Sequence, residues 1–427
     1  YYWQHPGAFF TRSDQVSVFA TRPGHVVEAI AENTVKVAGM FFAQGDSNPR
    51  HNLPFRPAFD WLLAVGFVVG FARALWCWKE PMNFLLLLWL IAMLLPSIVT
   101  EAAPNFLRSL GAVVPAVILV AMGLDLVLFQ IRNWKLEVGS WKLKVGVWDL
   151  GFGILLFASS ILSLNAYFND FPRDPRVWFA FDVGLVRIAE VVRALPADEP
   201  VYLTPISSEQ ATIQFTLGES RANLKAFDGR KCLVSPPPDR TATMLLVSED
   251  YRTLDHLREY WPQGRVTQRI DDFAGKPYLN VFQIPAQPSS NAPRVPLRAT
   301  FGEQMTLLGY TFLAERVEAG QGVPLVLFWR ALRPLQNEYT VFTHLLGGDQ
   351  RPRGQRDNQP CAGGYPTTRW DPRETIVEDF LIVVDKDAPA GPYSIELGLY
   401  QLANGARLIM PNGDDHVTIG PVEIFRK

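Results

Sequence analysis

Two short stretches of this chain gather side chains that can hold an anion. The first runs Gly45-Asp46-Ser47-Asn48-Pro49-Arg50-His51-Asn52-Leu53-Pro54-Phe55-Arg56-Pro57 and leads directly into a strongly apolar segment. The second, Thr100-Glu101-Ala102-Ala103-Pro104-Asn105-Phe106-Leu107-Arg108, separates two further apolar segments. Guanidinium groups and an imidazole at headgroup level offer planar, charge-assisted donors to phosphate oxygens, so Arg50, His51, Arg56 and Arg108 read as a phosphate-binding set. The plainer role for each arginine is an interface anchor, with its stem in apolar surroundings and its head in water. A third stretch, Gln355-Arg356-Asp357-Asn358-Gln359-Pro360 followed by Gly363-Gly364-Tyr365-Pro366-Thr367-Thr368-Arg369-Trp370, sets aromatic rings among polar groups. Tyr365 and Trp370 could stack on a sugar ring, or simply pack over a long structured loop.

The signatures of common soluble enzymes are missing: there is no His-Glu-x-x-His, no Gly-x-Ser-x-Gly, no Walker loop and no Cys-x-x-Cys. Six histidines and three cysteines are scattered, which predicts neither a metal site nor a disulfide framework. No cofactor is expected, and a divalent metal is left open without support from these residues. A bridge between Cys232 and Cys361 stays an open pairing. The net charge of -2 argues against a nucleic-acid partner.

The elements that must carry these groups follow from composition. Of 427 residues 48% are hydrophobic and only 19% charged, against roughly 25% charged in an average soluble domain. The apolar excess lies almost wholly before residue 168, so the two halves face different solvents. Four windows approach the roughly 20 apolar residues of a membrane-spanning helix: Trp61–Trp78, Asn83–Val99, Leu110–Ile131 and Val147–Phe168. The last carries Asp149 and several serines, which leaves a buried helix of a soluble domain as its alternative. Arg73 and Lys79 lie after the first span, and Arg132, Lys135, Lys142 and Lys144 after the third, opposed by Glu137 alone. Short loops rich in Lys and Arg stay in the cytoplasm. Residues 1–57, 100–109 and everything after about 168 are therefore expected outside. Before the first span, Val26, Val27, Ile30, Val37, Met40 and Phe41 fit one face of an interfacial or plainly packing amphipathic helix, with Glu28, Glu32 and Lys36 mostly elsewhere.

Past residue 168 the reading changes. Phe181, Leu185, Ile188, Val192 and Leu195 recur at helical spacing, followed by apolar runs at Val201–Thr204, Cys232–Val234, Met244–Val247 and Tyr278–Ile284 and helical stretches near Glu209–Leu217 and Leu254–Tyr260. This predicts a small α/β domain over 169–286. The run Pro285–Pro296 has linker composition, so a boundary is expected at 287–296. Beyond it, Met305–Phe312, Pro324–Ala331, Tyr339–Leu346, Ile376–Val383, Tyr393–Tyr400 and Val417–Ile424 read as strands. They predict a β-sandwich over 297–427, with residues 295–427 folding alone. The whole is a multi-domain membrane protein: an external segment (1–57), an α-helical transmembrane bundle of four helices (58–168), the α/β domain and the sandwich.

The segment His5-Pro6-x-x-Phe9-x-x-Arg12, the Gly-Asp-x-Asn-Pro-Arg-His-Asn-Leu-Pro loop and the Glu-Ala-Ala-Pro-Asn-Phe-Leu-Arg loop resemble the C-terminal membrane half of bacterial polytopic glycosyltransferases of the protein mannosyltransferase and lipid A aminoarabinose transferase type. The resemblance covers roughly residues 1–168. It implies an enzyme that moves a sugar from a polyprenyl-phosphate carrier to a protein, lipid or glycan acceptor at the external face of the bilayer. Only carrier-phosphate recognition carries over, onto Arg50, His51, Arg56 and Arg108. The family's acidic catalytic residue belongs to a first external loop with no counterpart here. The chain, starting at Tyr1, therefore reads as the C-terminal part of a longer protein. Asn105 stands where His is expected in similar loops. The competing class is a non-catalytic membrane anchor displaying an envelope or carbohydrate-binding module.

Overall fold

A computed structural model describes residues 15–133, 146–218 and 224–426. The His5–Arg12 segment and most of the Lys-rich stretch at 132–144 lie outside them. The chain divides into two compact units, Tyr1–Phe181 and Asp182–Lys427.

In the first unit, helices run over Val26–Gly39, Trp61–Trp76, Pro81–Ile98, Val113–Asn133 and Gly146–Asn165. Among the described residues, three helical stretches are long and apolar enough to cross a membrane: Pro81–Ile98, Leu110–Gln130 and Leu150–Arg173. Only 6% of the residues in the last window are buried against the described residues. Trp61–Trp76 is apolar but has 16 residues, about 24 Å of helix against a hydrocarbon thickness of about 30 Å. Its expected extension to Trp78 fails because Cys77 leaves helical geometry and caps onto Arg73.

That short helix packs closely against Val113–Asn133 through small residues. A Cβ on Gly70 would stand 1.9 Å from the Leu119 carbonyl oxygen, and one on Gly123 would stand 1.8 Å from the Gly66 carbonyl oxygen. In lipid, where apolar surface alone does not drive helices together, close backbone approach supplies the dispersion contact. At the helix start, the Asp60 carboxylate accepts from Leu62 N at 3.0 Å and Leu63 N at 3.1 Å and also from the Ser159 hydroxyl. The Val26–Gly39 helix buries Ala29, Asn33 and Val37. Of the predicted face, Val37, Met40 and Phe41 are buried and Val26 and Ile30 half-buried, whereas Val27 is 83% exposed. Asn33 Nδ2 decides the rotation by donating to the Ile98 and Thr100 carbonyls, both at 2.9 Å.

In the second unit the strands are β1 (Val201–Thr204), β2 (Leu224–Ala226), β3 (Cys232–Ser235), β4 (Ala242–Val247), β5 (Arg265–Asp271), β6 (Pro277–Ile284), β7 (Val295–Phe301), β8 (Met305–Phe312), β9 (Arg316–Glu318), β10 (Gly322–Ala331), β11 (Tyr339–Leu346), β12 (Pro352–Asn358), β13 (Thr375–Val383), β14 (Gly391–Gln401) and β15 (His416–Phe425). They form three five-stranded sheets, ordered β2-β1-β4-β6-β5, β3-β13-β10-β8-β7 and β12-β11-β14-β15-β9. In the first, β1 pairs parallel with β2 and β4.

The expected boundary at 287–296 does not separate two bodies. β3, from the predicted α/β domain, pairs antiparallel with β13, with Cys232 opposite Glu378. Cys232 is disulfide-bonded to Cys361, 129 residues on. The physical reason is burial on both faces of the first sheet. Side chains alternate along a strand, so Val201 and Leu203 join helices 183–194 and 211–217 in one cluster, while Tyr202, Met244 and Leu246 join the core of the other two sheets. The segment read as linker runs into β7, whose Pro293 flank packs so closely on Gly309 that a Cβ there would stand 2.6 Å away.

Glu378 is 1% exposed and its Oε2 has no hydrogen-bond partner. Burial pushes its carboxyl up to about 8, with Arg356 opposing the rise.

Two outcomes follow. Gly123→Leu should lower the thermal stability of the detergent-solubilised chain, whereas Gly151→Leu, where a Cβ would meet nothing within 4 Å, should leave it unchanged. For Glu378, the unfolded chain ionises above 4.5 while the folded one keeps its proton to about 8. The folded state therefore binds the extra proton, and this group makes stability fall as pH rises through that window. Glu378→Gln should flatten that fall in melts across pH and leave the variant the more stable at the alkaline end.

Candidate functional site

The first of the two candidate anion-binding stretches closes on itself. Gly45 N donates to the Phe55 carbonyl at 3.1 Å and Phe55 N to the Asp46 carbonyl at 2.8 Å, clamping residues 45–55 into a compact loop. Glycine is required at its neck, because a Cβ on Gly45 would stand 1.9 Å from the Arg56 carbonyl oxygen. Inside the clamp sits Asp46, 3% exposed. Its Oδ1 accepts from Asn48 N at 2.8 Å, and its Oδ2 lies 2.6 Å from His51 Nδ1 and accepts from Phe106 N at 2.9 Å. One carboxylate thus fastens the first predicted loop to the second. Asp46 was not among the expected site residues, and the Gly-Asp-x-Asn turn pattern was the signal that could have marked it.

With Nδ1 engaged by Asp46, His51 keeps Nε2 for another partner. Arg108 N donates to Asn105 Oδ1 at 3.0 Å, so Asn105 serves as a backbone brace. Arg108 Nη1 and the neighbouring Ser109 Oγ are both buried and make no hydrogen bond. The other two arginines are tied elsewhere, Arg50 Nε to the Ala180 carbonyl at 2.9 Å and Arg56 Nη2 to Ser163 Oγ at 3.2 Å. The structure therefore unites His51 with the loop that carries Arg108. Among the described residues it joins none of the four predicted cations directly to another.

Tyr365 and Trp370 have no ring face for a sugar: they are 0% and 3% exposed. Their loop wraps Glu374, itself 1% exposed. Glu374 accepts from Tyr202 Oη at 2.6 Å, Lys225 Nζ at 2.6 Å, Tyr365 Oη at 2.8 Å and Asp371 N at 3.0 Å. Trp370 Nε1 donates to the Tyr365 carbonyl at 3.0 Å. Burial and the Glu374 charge push both tyrosine hydroxyls well above their usual range. The aromatic residues serve this buried network, and the surrounding polar sequence concealed it. Among the described residues no group of three or more His, Cys, Asp or Glu side chains is placed to hold a metal ion.

No family model and no curated protein matches the chain. Among solved structures it is similar to the C-terminal domain of Wzt, at TM-score 0.23 and 10% identity over 32% of this chain and 83% of that one. It is also similar to a CARDB domain from Pyrococcus furiosus, at TM-score 0.20 and 11% identity over 30% and 96% of the two chains. A β-glucosidase from Listeria innocua matches at TM-score 0.19 and 11% identity over 34% of this chain, which spans only 18% of that enzyme. Likenesses at these scores carry no argument about fold or function.

Proposed function

We propose that the chain is the C-terminal part of an integral-membrane glycosyltransferase that takes a sugar from a polyprenyl-phosphate carrier at the external membrane face. The observation that carries this reading is the pair of orphaned donors, Arg108 Nη1 and Ser109 Oγ, beside a loop fastened by Asp46 to the histidine-bearing loop. Buried donors without partners cost about 1–3 kcal/mol each, and a ligand oxygen recovers that cost. A polyprenyl phosphate brings such oxygens on a tail that shares the solvent of the apolar helices. When the sugar leaves, negative charge grows on the phosphate, and one preorganised donor in a poorly hydrated site is worth roughly 3 kcal/mol in the transition state. His51, oriented by Asp46, supplies a second donor when protonated; Arg50 and Arg56 extend the positive field.

The placement of the second unit outside the cell rests on two supports. The Lys and Arg distribution predicts it. The Cys232–Cys361 disulfide belongs to an oxidising compartment. In this reading the two larger sheets pack face to face as a sandwich, their inward residues meeting in one core.

In the full-length protein, Arg108→Ala should lower sugar transfer from a polyprenyl-phosphate donor by more than about tenfold. Arg108→Lys should restore part of it, since an ammonium lacks the planar fork that engages two oxygens. Wild-type rates for the alanine variant at subsaturating donor would reduce Arg108 to an interface anchor. For topology, protease added to intact cells should remove residues 182–427. Cleavage only in inside-out vesicles would invert the arrangement.

A further inference from the structure

Two of the clefts among the described residues of the second unit differ in character. The larger, about 400 Å³, is lined by Ser207, Glu209, Asp228 and Arg369, and its polar groups are already engaged. Arg369 pairs with Glu209, Asp228 holds Arg230 through contacts at 2.8 and 3.0 Å, and Ser207 Oγ accepts from Glu209 N. Little hydrogen-bonding capacity remains for a ligand.

The smaller cleft, about 290 Å³, lies under the stretch that the sequence marked as linker. One wall is the helix Thr253–Tyr260 with His256 and Tyr260, the other carries Asn291 and Arg294, and Phe328 and Val377 form part of the floor. The backbone of this cleft is firmly held. Ser290 donates through N at 3.0 Å and Oγ at 3.1 Å to the Tyr260 carbonyl at the helix end, and Arg294 N donates to Thr311 Oγ1 at 3.0 Å. An ion pair between Arg252 and Asp379 forms another part of the lining.

The side chains on that frame are unspent. Among the described residues His256, Tyr260, Asn291 and Arg294 make no side-chain hydrogen bond, although all four line the cleft. The His256 and Tyr260 rings lie 5.5 Å apart, centroid to centroid. Burial pulls His256 down, so its neutral ring has one donor and one acceptor near pH 7, and burial pushes the Tyr260 hydroxyl up, keeping it protonated. Asn291 adds an amide with both functions and Arg294 a donor fork. Glu259 and Asp379 also line the cleft and offset the arginine charge. Mixed donors and acceptors beside the exposed apolar side chain of Leu313 suit a compact ring with one C–H face and a rim of hydroxyls. The volume fits one such ring, since pockets for larger ligands run from about 300 to 1,000 Å³.

We propose that this cleft binds a single neutral pyranose unit of a glycan, held by Tyr260, Asn291 and Arg294 beside the exposed Leu313. The proposal rests on this cleft alone and is independent of donor transfer at the membrane loops. The test is saturation-transfer NMR on the full chain in a detergent without a sugar headgroup. The probes are the methyl glycosides of glucose, galactose, mannose and N-acetylglucosamine. At least one should receive saturation from the wild-type protein. Asn291→Ala combined with Arg294→Ala should weaken that binding by about tenfold or more, the loss expected for two hydrogen bonds, one of them charge-assisted. Tyr260→Phe should weaken it less, and Glu209→Gln in the larger cleft or Arg108→Ala should leave it unchanged. Absence of transfer to every probe, binding that survives the double variant, or displacement of the sugar by inorganic phosphate would each overturn the proposal.

Discussion

Each unit of this protein is organised around a carboxyl group removed from water, and such a group keeps its charge at low cost only when its oxygens are met by donors. In the first unit it is Asp46, which takes the backbone of its own turn, the ring of His51 and the amide of Phe106. In the second it is Glu374, which gathers β1 through Tyr202, β2 through Lys225 and the loop ahead of β13 through Tyr365 and Asp371. Both work over long sequence distances, 60 residues for Asp46 to Phe106 and 172 for Tyr202 to Glu374. The same requirement explains what is left over. Once Asp46 has fixed the loops, Arg108 Nη1 and Ser109 Oγ remain buried and unmet, and unmet donors are what a ligand needs from a site.

The strands of the second unit were mostly legible because their signal is local. Met305–Phe312 and Tyr339–Leu346 occur with the bounds read from composition, and Thr375–Val383 and His416–Phe425 differ by a residue or two. β5 escaped notice because Arg265–Asp271 is almost wholly polar and exposed, as befits a sheet edge. The domain division was not legible, since a Pro/Ser/Asn-rich run looks the same whether it swings free or is pinned across a helix end. A clue was present in Val201–Thr204 and Ala242–Val247. Both are buried at every position, and an unbroken apolar strand signals cover on both faces. One face belongs to the helices, so the other required a second layer.

The candidate site divides in the same way. Turn residues and cations were visible in the loops, but the partner of His51 was visible only as a turn-forming aspartate. Trp370 and Tyr365 looked available for stacking because the residues between them are polar, yet those residues cap and brace a core whose depth no sequence window reveals. The unused groups of the smaller cleft were equally hidden, because His256, Tyr260, Asn291 and Arg294 are brought together by the bonds of Ser290 to the helix end and of Arg294 N to Thr311.

The central claim is that the two loops fastened by Asp46 receive a polyprenyl phosphate. Photo-crosslinking with a polyprenyl-phosphate analogue bearing its reactive group next to the phosphate tests this most directly, with the full-length protein in membranes and the crosslinked peptides identified by mass spectrometry. The account predicts adducts within residues 45–56 and 105–109, diminished by excess unlabelled polyprenyl phosphate and by Asp46→Asn, which releases the latch. Adducts confined to other parts of the chain, or adducts in these loops that excess polyprenyl phosphate does not compete, would contradict it.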